Sequence, residues 1–272
     1  DGRSLAATFS VTEPADQYVL GETDYPLHFG WAPLQSVRAN GFKLIAAPHS
    51  ELYDLRNDPG EARNLLEAPN ETTNSVRRSL SEIQIKKLPP IPPGDESLPD
   101  PKDRIEEANL LHRAMLAQED ARFDDAHEAL EKVLHLDSAS WPALRQLGQI
   151  EEQAGAHVKA AEHLKAARNL RPQDPSIAYE EGRALAEAGN LTAAREALDA
   201  SLRLAPQQFG VRLLLGKTCL KVKDFACAAD QFDAALLLQP EAVTAEMGLA
   251  EAEIGQGHFG DAADQLRQLS KA

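Results

Sequence analysis

Trp141-Pro142-Ala143-Leu144-Arg145-Gln146-Leu147-Gly148 opens the stretch WPALRQLGQIEEQAGAHVKAAEHLKAARNLRPQD, residues 141–174, whose reading decides the fold. Gly148 recurs as Gly182 and Gly216, and Pro172 recurs as Pro206 and Pro240, each at a step of 34. Ala126, Ala160, Ala194, Ala228 and Ala262 keep the same step. A fixed period of this length marks an array of one supersecondary unit stacked on itself. With Trp141 as position 1, the unit reads as two amphipathic helices separated by Ala154-Gly155-Ala156, where Gly155 can adopt the positive φ that ends a helix. Leu144, Leu147 and Leu164 supply apolar positions, while Gly148, Ala160 and Ala167 let two helix backbones approach closely. Pro172 stops the second helix, because it has no N–H and clashes with the preceding turn.

The unit repeats over Pro175–Gln208, with Gly182, Gly189, Ala194, Leu198 and Pro206, and over Phe209–Ala242, with Gly216, Ala228, Phe232, Ala235 and Pro240. Degenerate outer copies flank these three: 107–140, with Ala114 for the glycine and Ser138 for the proline, and 243–272, which stops short. From about Ile105 to the end the chain resembles the tetratricopeptide-repeat family. A mainly α solenoid of about five helix pairs is expected over 104–272, with a groove lined by the first helix (helix A) of each pair.

Such grooves bind peptides or partner domains, so a protein-interaction scaffold is the expected function. Positions 5 and 9 of helix A should face the groove. They are Arg145, Gln149, Tyr179 and Arg183 in repeats two and three, and Leu213, Lys217, Met247 and Glu251 in repeats four and five. Arg145, Arg183 and Lys217 could form a cationic track suited to an acidic peptide or a terminal carboxylate. The blander reading has them balanced by Glu152, Glu180 and Glu181. The family's two-carboxylate clamp is not reproduced, since Gln149 and Arg183 stand where asparagines would be. Leu266 and Leu269 in the last repeat lack an obvious cover, which makes self-association a further expectation.

The chain has 272 residues and a net charge of −15, which argues against nucleic acid and anionic membrane surfaces as partners. No run reaches the ~18 apolar residues of a membrane span. It begins at Asp1 without an initiator methionine or signal sequence, so a fragment or processed product is expected. The cysteines, Cys219 and Cys227, read as two small buried apolar residues and not as a disulfide or metal pair. His157 and His163 are six apart on different helix faces and no HExxH pattern accompanies them, so no metal or other cofactor is expected in this chain.

Residues 1–87 are of a different kind. Tyr18–Glu22 reads as a strand, Ser36–Ala39 and Phe42–Ala46 as a hairpin joined by Asn40-Gly41, and Glu51–Leu55 as another strand. Asn57-Asp58-Pro59-Gly60-Glu61 is expected to turn the chain into a helix beginning near Ala62, with a second helix over Ser75–Lys86. The result is a small antiparallel sheet with helices. Leu88-Pro89-Pro90-Ile91-Pro92-Pro93-Gly94, with Pro99 and Pro101, cannot be helical and reads as a semi-rigid linker over 88–103.

A second resemblance rests on Glu22-Thr23-Asp24-Tyr25-Pro26, His28-Phe29-Gly30-Trp31, Val37-Arg38, Gly41-Phe42-Lys43-Leu44-Ile45, Glu51-Leu52-Tyr53-Asp54-Leu55, Asp58-Pro59-Gly60-Glu61 and Asn64-Leu65. Together they look like the C-terminal subdomain of a bacterial sulfatase of the alkaline-phosphatase-like superfamily, and Asp1–Leu5 looks like the segment entering it. The resemblance implies a sulfuric ester hydrolase whose catalytic domain, with its formylglycine and calcium, lies upstream, and it suggests a periplasmic or cell-envelope location. The family's C/S-x-P-x-R motif is absent: Ser97-Leu98-Pro99-Asp100-Pro101 and Ser140-Trp141-Pro142-Ala143-Leu144 both lack the arginine. This chain alone is therefore expected to be inactive. Trp31, Arg38 and Lys43 read as structural or surface residues of that subdomain, and His28 stays open between a local hydrogen bond and a contribution to the parent's active site.

Overall fold

A computed structural model describes residues 18–91 and 98–269, which form two compact units that divide between residues 106 and 107. Asp1–Leu5 and Ser270–Ala272 lie outside the described residues, as do Pro92, Pro93, Gly94 and Ser97 of the proline-rich stretch.

In the first unit, β1 (Tyr18–Thr23), β2 (Leu34–Ala39), β3 (Phe42–Ala46) and β4 (Glu51–Asp54) form an antiparallel sheet in that order. The β2–β3 hairpin turns at Asn40 (φ 54°) and Gly41 (φ 78°), as the Asn-Gly pair requires, and Ala39 pairs with Phe42. Alternate residues of one face, Val37, Ala39, Leu44 and Leu52, are buried with Leu80 of α1 (Glu71–Lys87). Helix α1 begins four residues earlier than the sequence suggests, because Asn70 and Thr73 form a reciprocal capping box there.

No helix starts near Ala62. The first donor such a helix would use internally, the N–H of Leu66, goes to Asn64 Oδ1 (3.0 Å) and not to the Ala62 carbonyl, while the Asp58 carboxylate accepts from the N–H groups of Ala62 (3.0 Å) and Arg63 (2.8 Å). Asn64 Oδ1 accepts from Leu52 and Leu66, tying the loop to β4. The proline-rich stretch, where described, is fastened to this unit and does not run free. Gln35 Nε2 donates to the Pro89 carbonyl (2.8 Å), the Ala32 N–H donates to the Pro99 carbonyl (2.9 Å), and the fully buried Asp100 carboxylate accepts from the N–H of His49 (2.9 Å).

The second unit is the repeat array. Its helix pairs are α2 (Ile105–Glu119) with α3 (Phe123–Leu136), α4 (Trp141–Gln153) with α5 (His157–Leu170), and α6 (Pro175–Glu187) with α7 (Leu191–Leu204). They continue as α8 (Phe209–Lys221) with α9 (Phe225–Leu238), and α10 (Val243–Gln256) with α11 (Phe259–Leu269). In each pair after α4 and α5 both helices start 34 residues after their counterparts in the pair before. The reason is local at each boundary. The second helices α5, α7 and α9 end two residues before Pro172, Pro206 and Pro240. Within a pair the backbones cross closely: a β-carbon on Gly148 would stand 2.5 Å from Leu164 Cγ, and one on Gly182 2.7 Å from Leu198 Cγ. Leu130, Leu164, Leu198 and Phe232, at one position of successive repeats, are fully buried.

Cys219 and Cys227 are joined by a disulfide, contrary to the reading of two unlinked apolar residues. Their eight-residue separation runs down one helix, round the turn and into the next, which brings the α-carbons to 5.9 Å, within bridging distance.

Candidate peptide-binding face of the repeats

The first helices of successive pairs stand side by side, and their polar residues meet. Arg145 on α4 makes a two-pronged contact with Glu180 on α6, through Nε (2.8 Å) and a terminal nitrogen (2.7 Å), and Gln149 Nε2 donates to the same carboxylate (3.0 Å). Arg183 on α6 returns the arrangement, holding Glu152 of α4 at 2.6 and 2.8 Å while its guanidinium lies 6.0 Å from the Tyr179 ring centroid. Bonding to Glu180 and to Glu152 raises the two arginines above their ordinary range.

Arg145, Gln149, Tyr179 and Arg183 are thus brought together on one face. Arg145 and Arg183 do not present an open cationic track, since their positive charges are matched by Glu180 and Glu152. Glu181 does not take part in that balance. It sits in the core at 3% exposure, facing Arg168 of α5, whose Nε is 2.6 Å from Oε2. Burial pushes the Glu181 carboxyl above its usual range, against the lowering pull of Arg168 and Lys165. Removing Glu180 by Glu180→Ala should cost about 1–2 kcal/mol, since it strands Arg145 and Gln149 together. Chemical denaturation checks this, and unchanged stability would show that the link carries no weight.

On repeats four and five the same positions hold Leu213, partly buried, and Lys217, Met247 and Glu251, exposed. Among the described residues neither Lys217 nor Glu251 takes part in an ion pair within 4 Å. The face therefore changes along the array, from a closed ion-paired surface to an open one carrying apolar side chains.

His28 belongs to the first unit, on a 3-10 turn (Tyr25–Phe29), with its ring 5.9 Å from that of Tyr25 in an edge-on arrangement. Trp31 is buried and 4.9 Å from the Phe29 ring, Arg38 is exposed, and Lys43 binds both oxygens of Glu61. Among the described residues no group of three or more His, Cys, Asp or Glu side chains could hold a metal ion. His163 contacts the buried Glu151 through Nδ1 (2.8 Å). Among the described residues no helix is long and apolar enough to cross a membrane.

No curated protein sequence matches the chain. Among solved structures, the crystal structure of MamA protein is similar with a TM-score of 0.58 at 21% identity, covering 60% of this chain and 88% of that one. MamA residues 41 to the end from Desulfovibrio magneticus RS-1 give 0.57 at 17% identity, covering 61% and 94%. At these identities the likeness shows the fold. Two tetratricopeptide-repeat family models match in sequence, one over residues 111–176 and 213–272 and the other over 152–218, so that together they run unbroken through the array. From residue 111 to residue 272 this chain belongs to the tetratricopeptide-repeat family.

Proposed function

We propose that the array is a protein-interaction scaffold that binds a polypeptide along the face made by the first helices of its pairs. The observation that supports this is the set of contacts from α4 to α6 through Arg145, Gln149, Glu152, Glu180 and Arg183, which makes that face continuous from one repeat to the next. Repeats four and five are the receptive part. Leu213 and Met247 offer apolar contact there, and Lys217 offers a partner for one carboxylate of the ligand, so the acidic preference rests on that lysine. A peptide selected from a random library on the full chain should lose at least about tenfold in affinity on Leu213→Asp or Met247→Asp. Equal affinity for both variants would remove this reading.

The last pair supports self-association. Phe225 and Phe232 on α9 are covered by the next helix, where they lie against Gly255 and Gly248. Their counterparts one period later, Phe259 and Leu266 on α11, are 67% and 44% exposed. Light scattering over a range of concentrations should show mass rising above that of one chain, and a constant single-chain mass would argue against it.

For the first unit, the resemblance of its residues supports the tail of a sulfatase-like hydrolase with its catalytic domain upstream. Among the described residues two of the quoted segments are tied to the sheet, Asn64 to β4 and Glu61 to Lys43. The chain itself should hydrolyse no aryl sulfate with or without calcium, and calcium-dependent turnover would contradict this. A periplasmic or cell-envelope location goes with that reading, and the disulfide supports it, because such bonds persist in oxidising compartments.

A further inference from the structure

Each of the five repeats turns from its first helix into its second through one residue in the left-handed region. Three use glycine for it: Gly155 (φ 75°), Gly189 (φ 82°) and Gly257 (φ 84°). Repeat one has Ala121 (φ 57°) and repeat four has Lys223 (φ 61°). A side chain in that region is disfavoured, because its β-carbon crowds the following carbonyl. All five turns are closed in the same way, the residue after the left-handed one donating its N–H to a carbonyl five residues back. In repeat four that donor is Asp224 and that carbonyl belongs to Cys219 (2.9 Å). Asp224 then caps the next helix by accepting the N–H of Cys227 (3.2 Å). The two cysteines are therefore the end points of the hydrogen bonds that define the turn, and the disulfide joins the same two residues covalently. The corresponding positions of the other repeats, such as Glu151 with Lys159 and Leu185 with Ala193, carry no such pair.

We propose that the Cys219–Cys227 bond is a redox-sensitive staple that holds the fourth repeat's turn closed in place of the missing glycine. Cys219 is fully buried and Cys227 is partly exposed, so attack comes at the Cys227 sulfur. A thiolate of a dithiol reductant bonds to Cys227 Sγ, and Cys219 leaves as a thiolate and takes up a proton. The second thiol of the reductant, as its thiolate, then displaces Cys227, which is protonated in turn. The reductant ends as a cyclic disulfide, and the repeat has gained two electrons and two protons. Without the staple, Lys223 is held in the left-handed region by hydrogen bonds alone, and the turn opens more often.

The test uses the full chain, oxidised or reduced with dithiothreitol. Thiol titration of the oxidised chain should find no free thiol, these being its only cysteines. Reduction should lower the Tm of the helical transition by about 5–10 °C. It should also speed exchange of the Asp224 and Cys227 amide hydrogens by about tenfold or more. Lys223→Gly should raise the Tm of the reduced chain by about 2–4 °C, raise that of the oxidised chain by less, and slow the exchange that reduction caused. Ala121→Gly, at the turn with neither glycine nor staple, should help equally in both states. Two free thiols under oxidising conditions would overturn the proposal. Equal Tm and exchange in the two states would overturn it too, as would an equal gain from Lys223→Gly in both.

Discussion

Phe232→Ala should cost about 3–5 kcal/mol, the largest loss expected from a single truncation in the array. The ring is fully buried and fills a hole bounded by two glycines. A β-carbon on Gly216, in its own repeat, would stand 2.8 Å from the ring, and one on Gly248, in the next repeat, would overlap it. Leu164 and Leu198, at the same position of earlier repeats, lie over Gly148 and Gly182 within their own pairs. Phe232 thus joins the fourth repeat to the fifth as well as the two helices of its own pair. The cavity left by alanine has glycine on two sides, which offer no side chain of their own to fill it. Phe232→Leu, which restores the residue type of the other repeats, should cost less than about 1.5 kcal/mol. Chemical denaturation followed by helical circular dichroism distinguishes the two variants, and similar losses from both would mean that the double-glycine hole is not what the ring fills.

Glu181→Leu should stabilise the array by about 1–2 kcal/mol at neutral pH, because a buried leucine replaces a desolvated carboxylate and Arg168 can reach water. Position 7 of the repeat holds Leu147, Leu215 and Leu249, all buried, and in repeat three it holds a glutamate just as buried. Burial raises its pKa, so the folded chain binds the proton more tightly than the unfolded chain does. The cost of keeping the carboxylate charged is therefore present in full above the folded-state pKa. It disappears as the pH falls through that value toward the ordinary glutamate range near 4.5. The advantage of leucine should follow the same course, largest at neutral pH and shrinking in acid. Arg168, about a quarter exposed, can turn to solvent when its partner is gone. A variant less stable than the parent at neutral pH would show that the pair with Arg168 outweighs the desolvation of Glu181.

The array was legible in the sequence because the boundaries of its three central repeats have local causes that recur: glycine where helices cross, proline where the second helix stops. The Asn40-Gly41 hairpin was legible for the same reason. What escaped was decided by side chains reaching across sequence. The helix expected near Ala62 is replaced by a loop because Asn64 takes the N–H of Leu66 and ties the segment to β4, and no periodicity announces that. Pro89, Pro99 and Asp100 look like spacer residues until the sheet offers them partners. On the candidate face, the positions were readable from the period but the pairing of Arg145 and Arg183 with glutamates was not, since it depends on how far successive helices are offset. Two signals did lie in the sequence as exceptions within columns of the repeat: Glu181 among leucines, and Lys223 among turn glycines, four residues on from Cys219 and four before Cys227.

On the proposed function, a ligand lies across the first helices of repeats four and five. A peptide selected on the full chain, carrying a photoreactive group, should cross-link to α8 and α10 near Leu213, Lys217 and Met247. It should also keep its affinity when Glu162 on the second helix α5 is changed to Lys. Cross-links confined to the second helices, with binding lost in Glu162→Lys and retained in Leu213→Asp, would contradict it.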